Sequence, residues 1–378
     1  MSTIVAVPVA NRRQKKAFLE FPWQLYRNDP NWVPPLRMEQ KELVGYSYHP
    51  FYLKNRIQTF LAYRDNQVCG RIAAILNQAH VEYQKERRGF FGFFECVNDP
   101  EAVGALLDAA RAWLAEQGME SMRGPASPSV NHVLGTLVEG FDSPPTFMMA
   151  YNPPYYAELI EEYGFRKSQD LYAFWANGEM LPASQRKHWP IADQIMERFK
   201  IRIRPLNKSR FRHDMREFLA IYNQSLQNLW GFSPMSAEEL EYLARVFRYV
   251  VVPELVLGAE IEGRLVAIVL ALPDYNPLIK QIDGRLFPFG FFRLLLGRRK
   301  IKKVRILAAN VLPEYQLMGV AMVLLRAMTP AGQRLGIREV EYSWVAESNL
   351  LSRGSLEKGG AKRVKTYRLY DLDMSRCE

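Results

Sequence analysis

Alternation of apolar and polar residues divides the chain into two runs of similar outline. From Thr59 to Leu76 two apolar strands are joined at Asp65-Asn66, and from Leu255 to Leu272 two more turn at Glu262-Gly263. Each pair has the pattern of a hairpin. Helical periodicity precedes each hairpin, over Asn11 to Tyr26 and over Arg210 to Tyr249. An apolar strand, a helix, another strand and another helix follow. In the first half these begin with Gly89 to Val97 and Asp99 to Gln117. There Asp99-Pro100-Glu101 supplies a cap, a first-turn proline and an acid at the positive end of the helix dipole. In the second half they begin with Val304 to Val311 and Leu317 to Leu335, closed by Gly336. The stretch Ala176 to Lys200, with Pro182, Ser184 and Pro190 and no strand pattern, reads as a linker. The expected fold is α/β: two tandem domains, 1–184 and 185–378, each a mixed twisted sheet with helices on both faces.

Composition narrows the chemistry. The 378 residues are 48% hydrophobic and 24% charged, an ordinary globular balance that excludes disordered and collagen-like classes. Three cysteines (Cys69, Cys96, Cys377) form no CxxC pair, and five scattered histidines give no HxxxH or HExxH spacing. A disulfide scaffold and a metal site are therefore not expected. The N-terminus lacks a basic segment ahead of its short apolar run, and nowhere do 18 apolar residues run together, so the expectation is a cytoplasmic protein. A net charge of +10 favours anionic partners, namely nucleic acid, a membrane surface or a phosphorylated cofactor. No nucleic-acid-binding module is recognisable, so nucleic acid is not expected.

One segment stands out, Val311-Leu-Pro-Glu-Tyr-Gln316-Leu-Met-Gly319-Val-Ala321, set between an apolar strand and an amphipathic helix. Small residues at Gly319 and Ala321 let backbone approach a ligand, and a helix start offers free N–H groups to phosphate. No lysine follows the glycine, so the nucleoside-triphosphate loop is not met. By spacing alone the segment reads equally as a tight strand-to-helix turn without a ligand.

Strand, Gln-x-x-Gly-x-Ala and helix resemble the pyrophosphate-binding motif of the GNAT N-acetyltransferase superfamily. Val340 to Asn349 resembles that family's fifth strand and closing asparagine, Leu350 to Gly360 its following helix, and Tyr367 to Leu372 its last strand. The resemblance covers about residues 201 to 373. The first half, ending Tyr151-Asn152-Pro-Pro-Tyr155-Tyr156, is similar to the same ending without a pyrophosphate motif, as in tandem GNAT proteins with one degenerate copy. The whole chain also resembles a bacterial group with this tandem arrangement.

The resemblance implies binding of acetyl-CoA or another acyl-CoA and acyl transfer to a small-molecule or peptide amine. It implies that the backbone of Gln316, Leu317, Met318, Gly319, Val320 and Ala321 holds the pyrophosphate, with Gln316 as a side-chain donor. Val311 and Pro313 would flank the pantetheine, and Asn349 would reach its arm. There is one departure. Many members place a thiolate-protonating tyrosine seven residues after the asparagine, where this chain has Leu356. That substitution motivates a second reading, a non-catalytic acyl-CoA-binding or regulatory module; a third is an aminoacyl-transfer enzyme, a type that also uses tandem domains of this fold.

Two carboxylates are candidate bases: Glu347 at a strand end beside Asn349, and Glu95 among apolar neighbours in Gly89 to Val97, where burial would raise its pKa. Each also reads as an ordinary charge, Glu347 solvated and Glu95 ion-paired. The polar, aromatic loop from Arg123, with Asn131, His132, Asp142, Tyr151, Tyr155 and Tyr156, is a candidate acceptor pocket or a structured cover over the first sheet. The stretch 286–303 is rich in Lys and Arg. Its first reading is an insertion with the apolar side packed on the protein and the charges in water. A contact with anionic lipid is the lesser reading, and guidance of cofactor phosphates a third.

Overall fold

The computed structural model describes residues 3–227 and 229–376, apart from the side chains of 181–186 and 376; Cys377 lies outside the described residues. In chain order the elements are β1 (Val5–Pro8), α1 (Arg12–Leu25), α2 (Arg37–Leu43), β2 (Arg56–Arg64), β3 (Gln67–Leu76), α3 (Gln78–Gln84), β4 (Arg88–Cys96), α4 (Pro100–Glu116) and β5 (Ser121–Gly124). Next come β6 (Ala126–Ser127), β7 (Val133–Leu134), β8 (Thr136–Glu139), α5 (Tyr156–Glu162), β9 (Arg166–Asn177), α6 (Leu181–Arg198), β10 (Arg202–Pro205), α7 (Phe211–Ser225) and α8 (Ala237–Val250). The last are β11 (Val256–Ile261), β12 (Arg264–Pro273), α9 (Asn276–Gln281), α10 (Gly290–Gly297), β13 (Lys303–Val311), α11 (Val320–Arg334), β14 (Glu339–Ala346), α12 (Leu350–Lys358) and β15 (Lys362–Asp373).

The chain forms two compact units. The first is Met1–Leu171 with Asn276–Leu294 and Lys365–Glu378; the second is Tyr172–Tyr275 with Leu295–Val364. The 184/185 boundary drawn from the sequence falls inside α6. Both units are α/β with mixed sheets. In the first, β1 to β4 pair antiparallel in sequence, β4 and β5 pair in parallel, and β15 adds to β5 antiparallel. Asp99 caps α4, whose Val103, Leu106, Leu107, Ala110 and Leu114 are buried with Ile72, Ala74 and Phe91 of the sheet. Each such side chain contributes about 1.5–3 kcal/mol on burial.

In the second unit β10 to β13 pair antiparallel, and β13 and β14 in parallel. Two expectations are corrected here. The supposed linker is helix α6. Pro182 falls in its first turn, where no N–H is needed, and Pro190 removes only one internal bond. What holds the helix is packing: Ala192 is buried, Arg326 of α11 lies over the Trp189 ring at 5.0 Å, and Arg326 pairs with Asp193 at 2.8 Å. The continuous periodicity from Arg210 to Tyr249 is two helices, the second restarted by a Ser236–Glu239 capping box.

Candidate functional site

In the second unit β13 pairs with β12 along almost its whole length but with β14 only from Lys303–Glu339 to Ile306–Tyr342. Beyond that point the two parallel strands part. Ala309, two residues before the end of β13, is exposed although its strand has a partner on the β12 side. The parting begins at a buried polar cluster. Arg305 donates from Nε to Ser343 Oγ at 2.9 Å and from Nη2 to the Ser343 carbonyl at 3.0 Å, taking an acceptor that a further ladder bond would need. Ser343 Oγ donates to Glu341 at 2.7 Å, and Lys303 pairs with the other Glu341 oxygen at 3.0 Å. Burial raises the nearby Tyr222 hydroxyl to about 12, against the pull of Arg305.

At the open end of β13 the chain makes a 3-10 turn over Pro313–Met318, passes through Gly319 at φ +74°, and enters α11 at Val320. The helix therefore starts three residues later than its periodicity suggests, because the left-handed glycine separates it from the turn. No side chain caps α11 and no acid lies in its first turn, so its positive end is open to an anion. A Cβ on Gly319 would stand 2.7 Å from Ile195 Cδ1 of α6.

The first unit closes the same places. β4 and β5 likewise pair over a short stretch, three residues, Arg88–Phe90 with Ser121–Arg123. There the gap is filled, because Gly92 lies so close to the Ala126 carbonyl that a Cβ would come within 1.9 Å of it, and Phe93 N–H donates to Ser127 Oγ at 2.8 Å. The start of α4 is occupied by Asp99, Pro100 and Glu101.

Around the open slot the individual residues depart in part from the roles their motif implies. Gln316 Nε2 donates back to the Val311 carbonyl at 3.2 Å, so both groups are used within the turn. Pro313, Gln316 and Leu317 are exposed, Met318 and Ala321 half-buried, and Val320 buried. Asn349 caps α12, accepting from Ser352 N–H at 3.1 Å. Leu356 packs with Tyr172, Phe174 and Val345. The Tyr172 hydroxyl donates to Glu347 at 3.3 Å, and Arg363 lies over its ring at 4.9 Å.

In the first unit Glu95 is nearly buried. One oxygen accepts from Tyr26 at 2.6 Å and Tyr156 at 2.9 Å; the other faces Arg71 at 3.7 Å. Burial raises its pKa, opposed by Arg71 and the two hydroxyls. Tyr155 donates to the Cys96 carbonyl at 2.8 Å, Tyr151 to Asp29 at 2.8 Å, and Trp32 stacks on Tyr26. Glu95, Tyr151 and Tyr156 thus gather around Tyr26. Asn131 and His132 belong to a separate group about Ser129, whose Oγ lies 2.9 Å from His132 Nδ1. Burial, helped by His49, lowers the His132 pKa to about 3. Asp142 is exposed, with Ser143 as its hydroxyl neighbour.

Sequence reading missed Lys303, Arg305, Glu341, Ser343, Tyr172 and Ile195. The first four alternate with apolar residues and so read as a solvent-facing strand edge; Tyr172 and Ile195 lie far from the motif in sequence. Among the described residues His213, Asp214 and Glu217 bring ligand atoms within 4.8 Å of one another, but Arg204 bonds to both carboxylates there.

No family model matches the chain. Protein YghO of Escherichia coli is 35% identical over 369 residues, covering 96% of this chain and 93% of that protein. The bacterial ceramide synthase of Caulobacter vibrioides is 32% identical over 375 residues, covering 97% and 96%. A solved tandem GNAT protein from the clavulanic acid biosynthesis pathway shares the fold, with TM-score 0.55 and 12% identity over 99% of this chain and 100% of that one.

Proposed function

The chain belongs to the family of Protein YghO and the bacterial ceramide synthase and has the tandem GNAT fold, and from that premise we propose that it transfers an acyl group from coenzyme A to an amine. The observation that carries the reading is the parting of β13 from β14 beside an uncapped, glycine-led helix start, found in the second unit and filled in the first. The fit is chemical. An extended pantetheine needs an unpaired strand edge, and a pyrophosphate needs helix-start N–H groups that no side chain caps.

In this reading the backbone of Gly319, Val320 and Ala321 holds the pyrophosphate, and Leu307 to Val311 lines the pantetheine. Bound acyl-CoA supplies the thioester carbon that the amine attacks. Glu347 takes the proton from the amine, directly or through water. Tyr172, hydrogen-bonded to Glu347, delivers a proton to the departing thiolate and stands in for the tyrosine absent at 356. Glu95 holds Arg71, Tyr26 and Tyr156 in place. A ceramide is the amide of a fatty acid with a long-chain amino alcohol, so the relative's name points to a lipid amine as acceptor and a long acyl chain as donor group.

Calorimetric titration with coenzyme A, acetyl-CoA and palmitoyl-CoA tests the cofactor, and release of free thiol with a long-chain amine tests the transfer. Micromolar binding followed by amine-dependent thiol release is expected. Failure of every coenzyme A form to bind would overturn the reading. Turnover with acetyl-CoA and short amines alone would overturn the lipid acceptor.

A further inference from the structure

Residues 285–303 contain seven Lys or Arg and no acid. The expectation that their apolar side chains pack on the protein is met by Ile301, which is buried, and in part by Leu286, Phe291 and Leu294, which are half-buried, but not by the others. Phe287, Phe289, Phe292 and Leu296 are 69%, 77%, 59% and 78% exposed. The turn before α10 closes on its own backbone instead. Gly290 is buried with the Arg285 carbonyl 2.0 Å from where a Cβ would stand, and Phe291 N–H donates to the Leu286 carbonyl at 2.7 Å. Glycine, not a phenyl ring, fills the buried position, and the neighbouring rings are left pointing out.

Along α10, Phe292, Leu295 and Leu296 stand at i, i+3 and i+4 and share one exposed face. Arg293 within the helix and Arg299 and Lys300 just beyond it are also exposed. Isolated exposed apolar residues are common, but a contiguous ordered set rimmed by one sign of charge marks an interaction surface. We propose that this surface docks on an anionic lipid bilayer, with the rings and leucines entering the headgroup boundary and the basic residues meeting lipid phosphates. Charge complementarity selects that occupant, because exposed rings on a run that carries seven cations and no acid match a surface that is apolar beneath and negative above. No helix among the described residues is long and apolar enough to cross a membrane, so the contact is peripheral. The inference rests on exposure and charge and stands apart from the acyl-transfer reading.

Co-sedimentation of the full chain with vesicles, without acyl-CoA, tests it. The vesicles are phosphatidylcholine alone and phosphatidylcholine with phosphatidylglycerol at about two to one. Partition onto the anionic vesicles is expected, weakened by salt as the Debye length shrinks below ~8 Å. Phe289→Ser with Leu296→Ser, and separately Arg299→Glu with Lys300→Glu, should each reduce it about tenfold. Equal partition onto both vesicles, none onto either, or no effect of the substitutions would overturn the proposal. So would a lipid-free dimer, seen by sedimentation velocity, that Phe289→Ser with Leu296→Ser converts to monomer, since a second copy would then cover the face.

Discussion

Replacing Gly319 with alanine perturbs the proposed phosphate cradle with one methyl group. Two terms follow from the structure. A residue with a Cβ held at φ +74° costs ~1–2 kcal/mol relative to glycine. The new Cβ would also lie 2.7 Å from Ile195 Cδ1. That atom ends a flexible side chain, so it turns aside at the cost of an off-rotamer conformation, about 0.5–1.5 kcal/mol. The sum, ~1.5–3.5 kcal/mol, is relieved most easily by rotating the peptide planes about residue 319. That rotation takes the N–H groups at the start of α11 away from a bound anion. Coenzyme A affinity should therefore fall between about tenfold and a few hundredfold. Calorimetry against coenzyme A and against pantetheine, which lacks the pyrophosphate, separates the roles: only the former should weaken. Adding Ile195→Ala should recover the steric part and leave the backbone part. Unchanged coenzyme A affinity, or equal loss for pantetheine, would refute the cradle.

Glu347→Gln and Tyr172→Phe should each lower turnover about a hundredfold while leaving coenzyme A affinity intact; normal turnover in either removes that residue from the proton path. Glu95→Gln should instead lower unfolding free energy by about 3 kcal/mol, because Arg71 is left buried without its counter-charge, and urea titration reads it directly. His132 gives a pH signature. Its pKa is lowered to about 3 in the fold, so the unfolded chain takes up the proton first as pH falls below ~6.5, and stability is lost between there and pH ~3. His132→Asn should remove about 2 kcal/mol of the loss between pH 7 and 5, measured by urea titration at both values. Identical losses in the two proteins would show that His132 titrates normally.

Local chemistry made much of the fold legible. The helix Arg12–Leu25 is flanked by Asn11 and Tyr26, both hairpins turn where their Asp-Asn and Glu-Gly pairs stand, and Asp99 caps α4. These features depend on residues within one turn of each other, where side-chain capping and backbone preference decide the outcome. The Gln-x-x-Gly-x-Ala motif was legible for the same reason, since only glycine enters the left-handed conformation at 319 without strain.

What lay beyond local reach was decided by packing between distant segments. Two prolines and no strand pattern made 176–200 look like a linker, yet Trp189, Ala192 and Ile195 find α11 and a helix forms. Lys303, Arg305, Glu341 and Ser343 look like a wet strand edge, yet they are brought together in the buried interior of the second unit, where each finds a partner. Rings at 287, 289 and 292 look like core, yet Gly290 takes the buried place. The sequence by itself determined the two hairpins, the capped helix α4 and the left-handed glycine ahead of α11. Only the tertiary structure decided which of two similar slots stays open, because a slot is an absence of pairing, and strands stay apart only where other chain segments neither bridge nor fill the gap.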